Sequence, residues 1–322
     1  MSKPLLNRRQ FSVRCAALGF SFPAVSRLLA AQATPQVLGS SAAAELAART
    51  VRLPDGTTVP ALGQGCWHLG QERHPAAVEK DALRTGISLG MTLIDTSGNY
   101  GNGRSEQLIS SVLAGQRDHV FLVSKVEGDQ VSGDGIPRAC AASLARLGTD
   151  YLDLYLLHWP VRSNQFSGVV AAFEQLRAAG KIRAWGVSNF NVGQMEDLLR
   201  VPDGPRCATN QVAYSLNNRR IEKDVLPWCK QHNIPVMAYS PLGGDRHLVV
   251  GDRTLAQVGT THGCSAAAIA LAWVIRSGSV IAIPESGSPA HVKENAVALS
   301  IALMPRDLQI LDAAYPGAAG AN

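Results

Sequence analysis

The chain lacks the marks that most readily assign a protein to a class. No apolar run reaches the roughly 20 residues that cross a bilayer, since the best stretch, Cys15 to Ala31, is broken by Arg27. No membrane span is expected. None of the six cysteines stands at CxxC spacing to another, and with Cys15 set apart the other five, Cys66, Cys140, Cys207, Cys229 and Cys264, are odd in number. That pattern indicates neither a zinc site nor a disulfide framework. His68, His74, His119, His232, His247 and His262 show no ligand spacing, so no metal is expected. The sequence also has no internal repeat and no low-complexity segment after residue 50.

Acidic residues are missing from one region. Residues 1–33 carry Lys3, Arg8, Arg9, Arg14 and Arg27 but no Asp or Glu; setting those five aside from 30 basic residues leaves 25, against 25 acidic ones. A neutral body has no electrostatic footprint for nucleic acid. The same stretch holds Asn7-Arg8-Arg9-Gln10-Phe11, a moderately apolar segment and then Ala31-Gln32-Ala33, the layout of a basic region, an apolar region and a small-x-small cleavage site. It resembles a twin-arginine (Tat) signal peptide, which implies export of the folded chain by the Tat machinery to the periplasm. A basic tail on a cytoplasmic protein is the alternative. Residues 34–49 read as a linker of small residues.

What the remaining chain does have is apolar patterning. With 322 residues, 46% hydrophobic and 17% charged, it can bury a large core. Thr50 to Pro60 reads as a β-hairpin turning at Pro54-Asp55-Gly56. Strands are expected at 62–66, 91–95, 119–125, 152–158, 182–188, 207–212, 235–239 and 280–283, with amphipathic stretches between them such as Ala76 to Leu89, Pro137 to Leu147 and Val169 to Ala179. Eight strands alternating with helices imply a closed (β/α)8 TIM barrel, an α/β fold spanning residues 50–322 after the short hairpin. A doubly wound nucleotide-binding sheet would need a glycine-rich first turn, but Leu62-Gly63-Gln64-Gly65-Cys66-Trp67-His68 puts His68 where the third glycine should stand.

In a barrel of this kind chemistry is done where the strands end, and these strands end in polar residues. Asp95 closes the second, with Tyr100 beyond it in IDTSGNYGNG; Lys125 ends the third and His158 the fourth; Ser188-Asn189 ends the fifth. Asn210-Gln211, Tyr239-Ser240 and Pro284-Glu285-Ser286 follow at the remaining ends. Asp95, Lys125, His158 and Ser188 are spaced 30, 33 and 30 positions apart, about one βα unit each, so they share one rim. Other residues read as structural: Asp150 and Asp153 as turn and strand acids, Trp185, Trp228 and Trp273 as packing, and Arg219-Arg220 as a solvated charge run.

The runs LIDTSGNYG, VSKV, LLHWP, GVSNF, NQ, YSPL and IPESGSPAHVKEN resemble the successive signatures of the aldo-keto reductases, in order over most of the chain, and most closely those of the bacterial diketogulonate-reductase-like branch. The resemblance implies reduction of aldehydes or ketones, sugar-derived ones included, by NADPH or NADH in a monomeric enzyme. It implies a catalytic tetrad of Asp95, Tyr100, Lys125 and His158, with Trp67, Tyr100, His158 and Trp159 around the substrate. Cofactor contacts would come from Gly65, Cys66, Trp67, Ser188, Asn189, Gln211, Tyr239, Ser240, Pro241, Leu242, Glu285, Ser286, His291, Glu294 and Asn295. A regulatory barrel that senses nicotinamide state is the alternative within the family. The residue types suit the chemistry, because a carbonyl oxygen must receive a proton from a group within hydrogen-bond reach. Tyr100 is that group; an ammonium about 4 Å away would stabilise its phenolate by up to roughly 4 kcal/mol at a dielectric of about 20, lowering its pKa by as much as about three.

Two positions depart from the family pattern. Glu285 replaces a lysine that commonly attracts the 2′-phosphate of NADPH, and His291 replaces a frequent arginine. Replacing that attraction by a carboxylate about 5 Å from a phosphate changes the interaction by more than roughly 1 kcal/mol even at high dielectric, so weakened NADP preference, with NAD(H) accepted or favoured, is expected.

Overall fold

The computed structural model describes residues 49–244 and 248–317. The expected leader and all of the linker but Arg49 lie outside these residues. β1 (Thr50–Arg52) and β2 (Thr58–Pro60) form an antiparallel hairpin with Val51 opposite Val59. At its turn the Asp55 carboxylate accepts from the Thr57 amide at 2.8 Å, and Gly56 takes a left-handed φ of 91° that glycine adopts at little cost.

The rest alternates strand and helix. In order come β3 (Gln64–Gly65), α1 (Ala76–Ser88), β4 (Leu93–Asp95), α2 (Arg104–Leu113), β5 (Phe121–Val126), α3 (Gly135–Leu147), β6 (Leu152–Leu157) and α4 (Phe166–Ala178). Then follow β7 (Ile182–Ser188), α5 (Val192–Arg200), β8 (Asn210–Ala213), α6 (Val225–Gln231), β9 (Val236–Tyr239), α7 (Arg253–His262), α8 (Ala266–Val274), β10 (Val280–Ala282), α9 (Pro289–Ala296) and α10 (Pro305–Ala314). β3 to β10 pair in sequence order, each parallel to the next. The seam is closed by bridges from Leu62 to Ala282 and from Gly65 to Glu285, with the Gly63 amide donating to the Ala282 carbonyl at 2.8 Å and that of Gly65 to Pro284 at 3.0 Å. The barrel, the hairpin and all eight expected strands are therefore present. β3 is shorter than expected, and it lies close to its neighbour: a methyl group at Gly65 would sit 2.8 Å from the Ile283 carbonyl oxygen.

Strands buried on both faces read as continuous apolar runs, and β6 shows how the period of two sorts them. Leu154 and Leu156 join one core cluster with Leu93, Val123 and Ala184. Tyr155 and Leu157 join another, with Ile136 and Cys140 of α3 and Val169 and Phe173 of α4. Trp185 and Trp273 are buried and Trp228 is half-buried against both clusters. Asp153 is the buried acid of β6, accepting from Arg117 at 2.8 Å, Arg183 at 2.9 Å and the Leu122 amide at 2.9 Å.

Arg219 corrects its sequence reading. It is not solvated: its guanidinium lies 4.9 Å over the Trp273 ring and donates to Asp312 at 2.7 Å, the Tyr315 carbonyl at 2.7 Å and Glu222 at 3.0 Å. Carboxylates from two elements and the end of α10 enclose it, so the charge is matched rather than hydrated. Arg220 is exposed. Among the described residues no helix is long and apolar enough to cross a membrane, and no three His, Cys, Asp or Glu side chains cluster as metal ligands.

Candidate active site

Asp95, the last residue of β4, and Lys125, near the end of β5, are neighbours on the barrel rim. The ammonium of Lys125 donates to Asp95 Oδ2 at 2.8 Å, to the Thr96 carbonyl at 2.8 Å and to the Tyr100 hydroxyl at 3.0 Å. Tyr100 is brought there by a 3₁₀ turn, Tyr100–Gly103, in which Gly101, Asn102 and Gly103 are all left-handed. Burial alone would favour neutral lysine, but Asp95 and Tyr100 outweigh it and hold the Lys125 pKa at about 12, so this amine is an ammonium at neutral pH.

Tyr100 behaves differently from the sequence expectation. Burial of the phenol outweighs the pull of Lys125, and the Asp95 carboxylate adds to the upward push, so its pKa is raised to about 12 instead of lowered. The reason lies in the geometry. The aspartate that holds the lysine also cancels part of the charge the phenol feels.

His158 follows β6, its amide donating to the Val126 carbonyl at 2.9 Å. Its ring meets that of Tyr100 edge-on at 5.8 Å and stacks against Trp159 at 6.0 Å. Nδ1 lies 2.5 Å from Oε1 of Glu127. Sequence reasoning missed Glu127, although side chains alternate along a strand and residue 127 falls on the same side as Lys125. Asn189, left-handed at φ 65°, donates to the His158 carbonyl and to Ser188 Oγ, both at 3.1 Å, and accepts from the Tyr239 hydroxyl at 3.0 Å. Ser188 in turn donates to the Gln211 carbonyl at 2.9 Å. The Gln211 amide donates to Asp95 Oδ1 at 2.8 Å, which fixes the second oxygen of that carboxylate.

Beside these groups opens a cavity of about 550 Å³. Its wall includes Gly65, Cys66, Trp67, Asp95, Tyr100, Trp159, Gln211, Tyr239, the Ser240-Pro241-Leu242 turn, Glu285, Ser286 and His291. Trp67 and Trp159 are 54% and 52% exposed. Burial pushes the Cys66 thiol well above its ordinary range, and Asp95 and Glu285 push it further, so it stays an uncharged wall. Ser240 holds φ at 49°, an uncommon conformation for serine that tends to mark functional loops. Exposed Glu294 and buried Asn295 lie on α9, outside that wall; Ser188 and Asn189 at the end of β7 and His158 after β6 are outside it too.

Glu285 does not project as a free carboxylate. One oxygen accepts from the His68 amide and the other pairs with His68 Nδ1, both at 2.9 Å; His68 also stacks on Trp67 at 4.3 Å. The residue that broke the glycine fingerprint is thus the clasp across the seam. As a whole the cavity fits a nicotinamide nucleotide. Its lining joins a phenol, the Gln211 amide, the aromatic rings of Trp67, Trp159 and Tyr239 and the glycine-bearing loop Ser240–Gly244, apolar walls with a few placed polar groups.

Comparison with known proteins agrees with this geometry. The profile described as "Aldo/keto reductase family" matches residues 61–316. The chain is 46% identical over 275 residues to methylglyoxal reductase YeaE of Escherichia coli strain K12, spanning 84% of this chain and 96% of that one. It is 32% identical over 264 residues to the glyoxal reductase of Bacillus subtilis strain 168, spanning 82% and 92% respectively. Among solved structures, an aldo/keto reductase from Klebsiella pneumoniae in complex with NADP and acetate superposes with a TM-score of 0.81 at 44% identity, covering 85% of this chain and 98% of that one. Taken with the closed barrel and the residues gathered at its rim, the match over residues 61–316 establishes that the chain belongs to the aldo/keto reductase family.

Proposed function

We propose that the protein reduces small aldehydes and ketones, dicarbonyls of the methylglyoxal type foremost, with Tyr100 delivering the proton and a nicotinamide nucleotide held along the cavity. The observation that carries this reading is the single ammonium of Lys125 bonded to both Asp95 and Tyr100. The cofactor, when bound, supplies the hydride. Gln211 and the Tyr239 ring would hold its nicotinamide end, and the Ser240–Gly244 loop with Ser286 its phosphates. Lys125 keeps the phenol oriented and receives it as phenolate once the proton has left, while Asp95 keeps the lysine charged. His158 donates to the same substrate oxygen, and Trp67 and Trp159 screen it from water. The methylglyoxal and glyoxal reductases among its relatives support that substrate class; the LIDTSGNYG and IPESGSPAHVKEN runs support the diketogulonate-like branch. The test is a carbonyl panel of methylglyoxal, glyoxal, aldoses and keto-sugar acids, followed by nicotinamide absorbance with NADH and NADPH in parallel. No consumption with either cofactor across the panel overturns the reading.

The N-terminal pattern supports Tat export to the periplasm, where a folded chain would arrive with its cofactor already bound and would recycle it between two substrates. Replacing Arg8 and Arg9 by lysine should keep the protein in the cytoplasmic fraction. Unchanged fractionation, or a periplasmic preparation free of nucleotide, counts against export or against retained cofactor respectively.

A further inference from the structure

Glu127, which hydrogen-bonds to His158, is outside every motif that marked the site. Glu127 sits on the loop after β5, and the two side chains are 22% and 13% exposed, so water competes weakly for the bond. An ionised carboxylate only accepts hydrogen bonds, which places a proton on Nδ1 of His158. The neutral ring then has a bare Nε2, and among the described residues no hydrogen-bond partner stands at that atom. Nε2 becomes a donor only when the ring carries a second proton, and the charge this creates needs a counter-charge in a site of low dielectric.

The groups facing the ring show where that counter-charge comes from. Tyr100 meets it edge-on from the turn after β4, with Lys125 and Asp95 behind as an ion pair of no net charge. Trp159 stacks on it, and Asn189 of the loop after β7 donates to its backbone carbonyl; both are uncharged. Of these groups only Glu127 brings a net charge to the ring itself.

We propose that Glu127 is a positioning residue for carbonyl reduction: it fixes the proton on Nδ1 of His158 and balances the doubly protonated ring, so that Nε2 donates to the substrate oxygen beside Tyr100. This rests on the reading of His158 as a donor to that oxygen. Tyr100, held at about 12, is a reluctant acid, which gives a second donor at the same oxygen more to do.

The test uses the full chain labelled with ¹⁵N-histidine, the His158 signals being identified by their loss in His158→Gln. The wild type shows Nδ1 protonated; Glu127→Gln, whose amide oxygen can still accept, keeps that tautomer, and Glu127→Leu loses it. With methylglyoxal and saturating NADPH, kcat falls about tenfold in Glu127→Gln, which weakens the donor without removing it, and roughly 100-fold in Glu127→Leu, the lower end of what a positioned proton donor contributes. In Glu127→Gln the pH–rate profile also moves to lower pH, while NADPH affinity, which reports folding, stays at the wild-type level. An Nδ1-protonated His158 in Glu127→Leu overturns the proposal, as does wild-type kcat with an unmoved profile in Glu127→Gln. A wild-type protein that reduced no carbonyl would remove the catalytic reading, but the tautomer result would still be legible.

Discussion

Asp95 and Tyr100 both bond to Nζ of Lys125, at 2.8 and 3.0 Å. One ammonium therefore answers to two opposed demands, since every bit of charge spent on the carboxylate is withheld from the phenol. The consequences can be measured.

Tyr100→Phe removes the hydroxyl and leaves the ring against His158. Carbonyl reduction should fall by at least about 100-fold, the lower range for losing a general acid, with NADPH affinity measured by fluorescence titration unchanged. Equal turnover by variant and wild type would show that the proton comes from elsewhere.

Asp95→Asn leaves a buried ammonium without its counter-ion, the Lys125 and Asp95 side chains being almost wholly enclosed. Removing one partner of a buried pair costs about 3–5 kcal/mol, to be read from urea denaturation midpoints. Because Asp95 also raises the phenol, the phenolate absorbance of Tyr100, taken against Tyr100→Phe, should appear at lower pH in the variant.

Alkaline stability follows from the same two groups. Lys125 and Tyr100 both hold their protons more tightly in the folded chain, at about 12 against ordinary values of 10.5 and 10.0. Their contribution is fully present below about pH 10 and is lost as the pH rises through about 12. Thermal unfolding midpoints should therefore decline across that window, and the decline should be shallower in Lys125→Met.

Glu285→Lys tests cofactor choice. The substitution breaks the His68 clasp and replaces a negative charge on the cavity wall with a positive one. NADPH affinity should rise about tenfold or more relative to NADH, from a change of over roughly 1 kcal/mol. Wild-type efficiency with NADPH already more than about tenfold above NADH would mean that Glu285 does not set the preference.

The barrel was legible because its strands are buried on both faces and its helices alternate with them, leaving polar residues at strand ends as the exceptions. Asp95, Lys125 and His158 stand out for that reason. What escaped were pairings that spacing does not encode. His68 and Glu285 are 217 positions apart and meet only because the first and last strands close on each other. Glu127 sat two residues past a recognised lysine, but nothing in the sequence says which histidine it faces. The lowered pKa expected for Tyr100 was wrong in sign because pairwise attraction was counted without burial or the second carboxylate. Arg219 looked solvated in a run of charge until the end of α10 folded over it.

Closure of the seam also bears on when the protein becomes able to work. The first 158 residues already carry Asp95, Tyr100, Lys125 and His158, but part of the cavity wall comes from the loops that follow β9 and β10, and bringing such distant segments together carries a loop-closure cost. The cavity is therefore complete only when the last strand is in place, because Tyr239 and Pro284-Glu285-Ser286 belong to its wall. The seam itself needs both ends of the barrel, since Gly63 donates to Ala282 and Gly65 to Pro284.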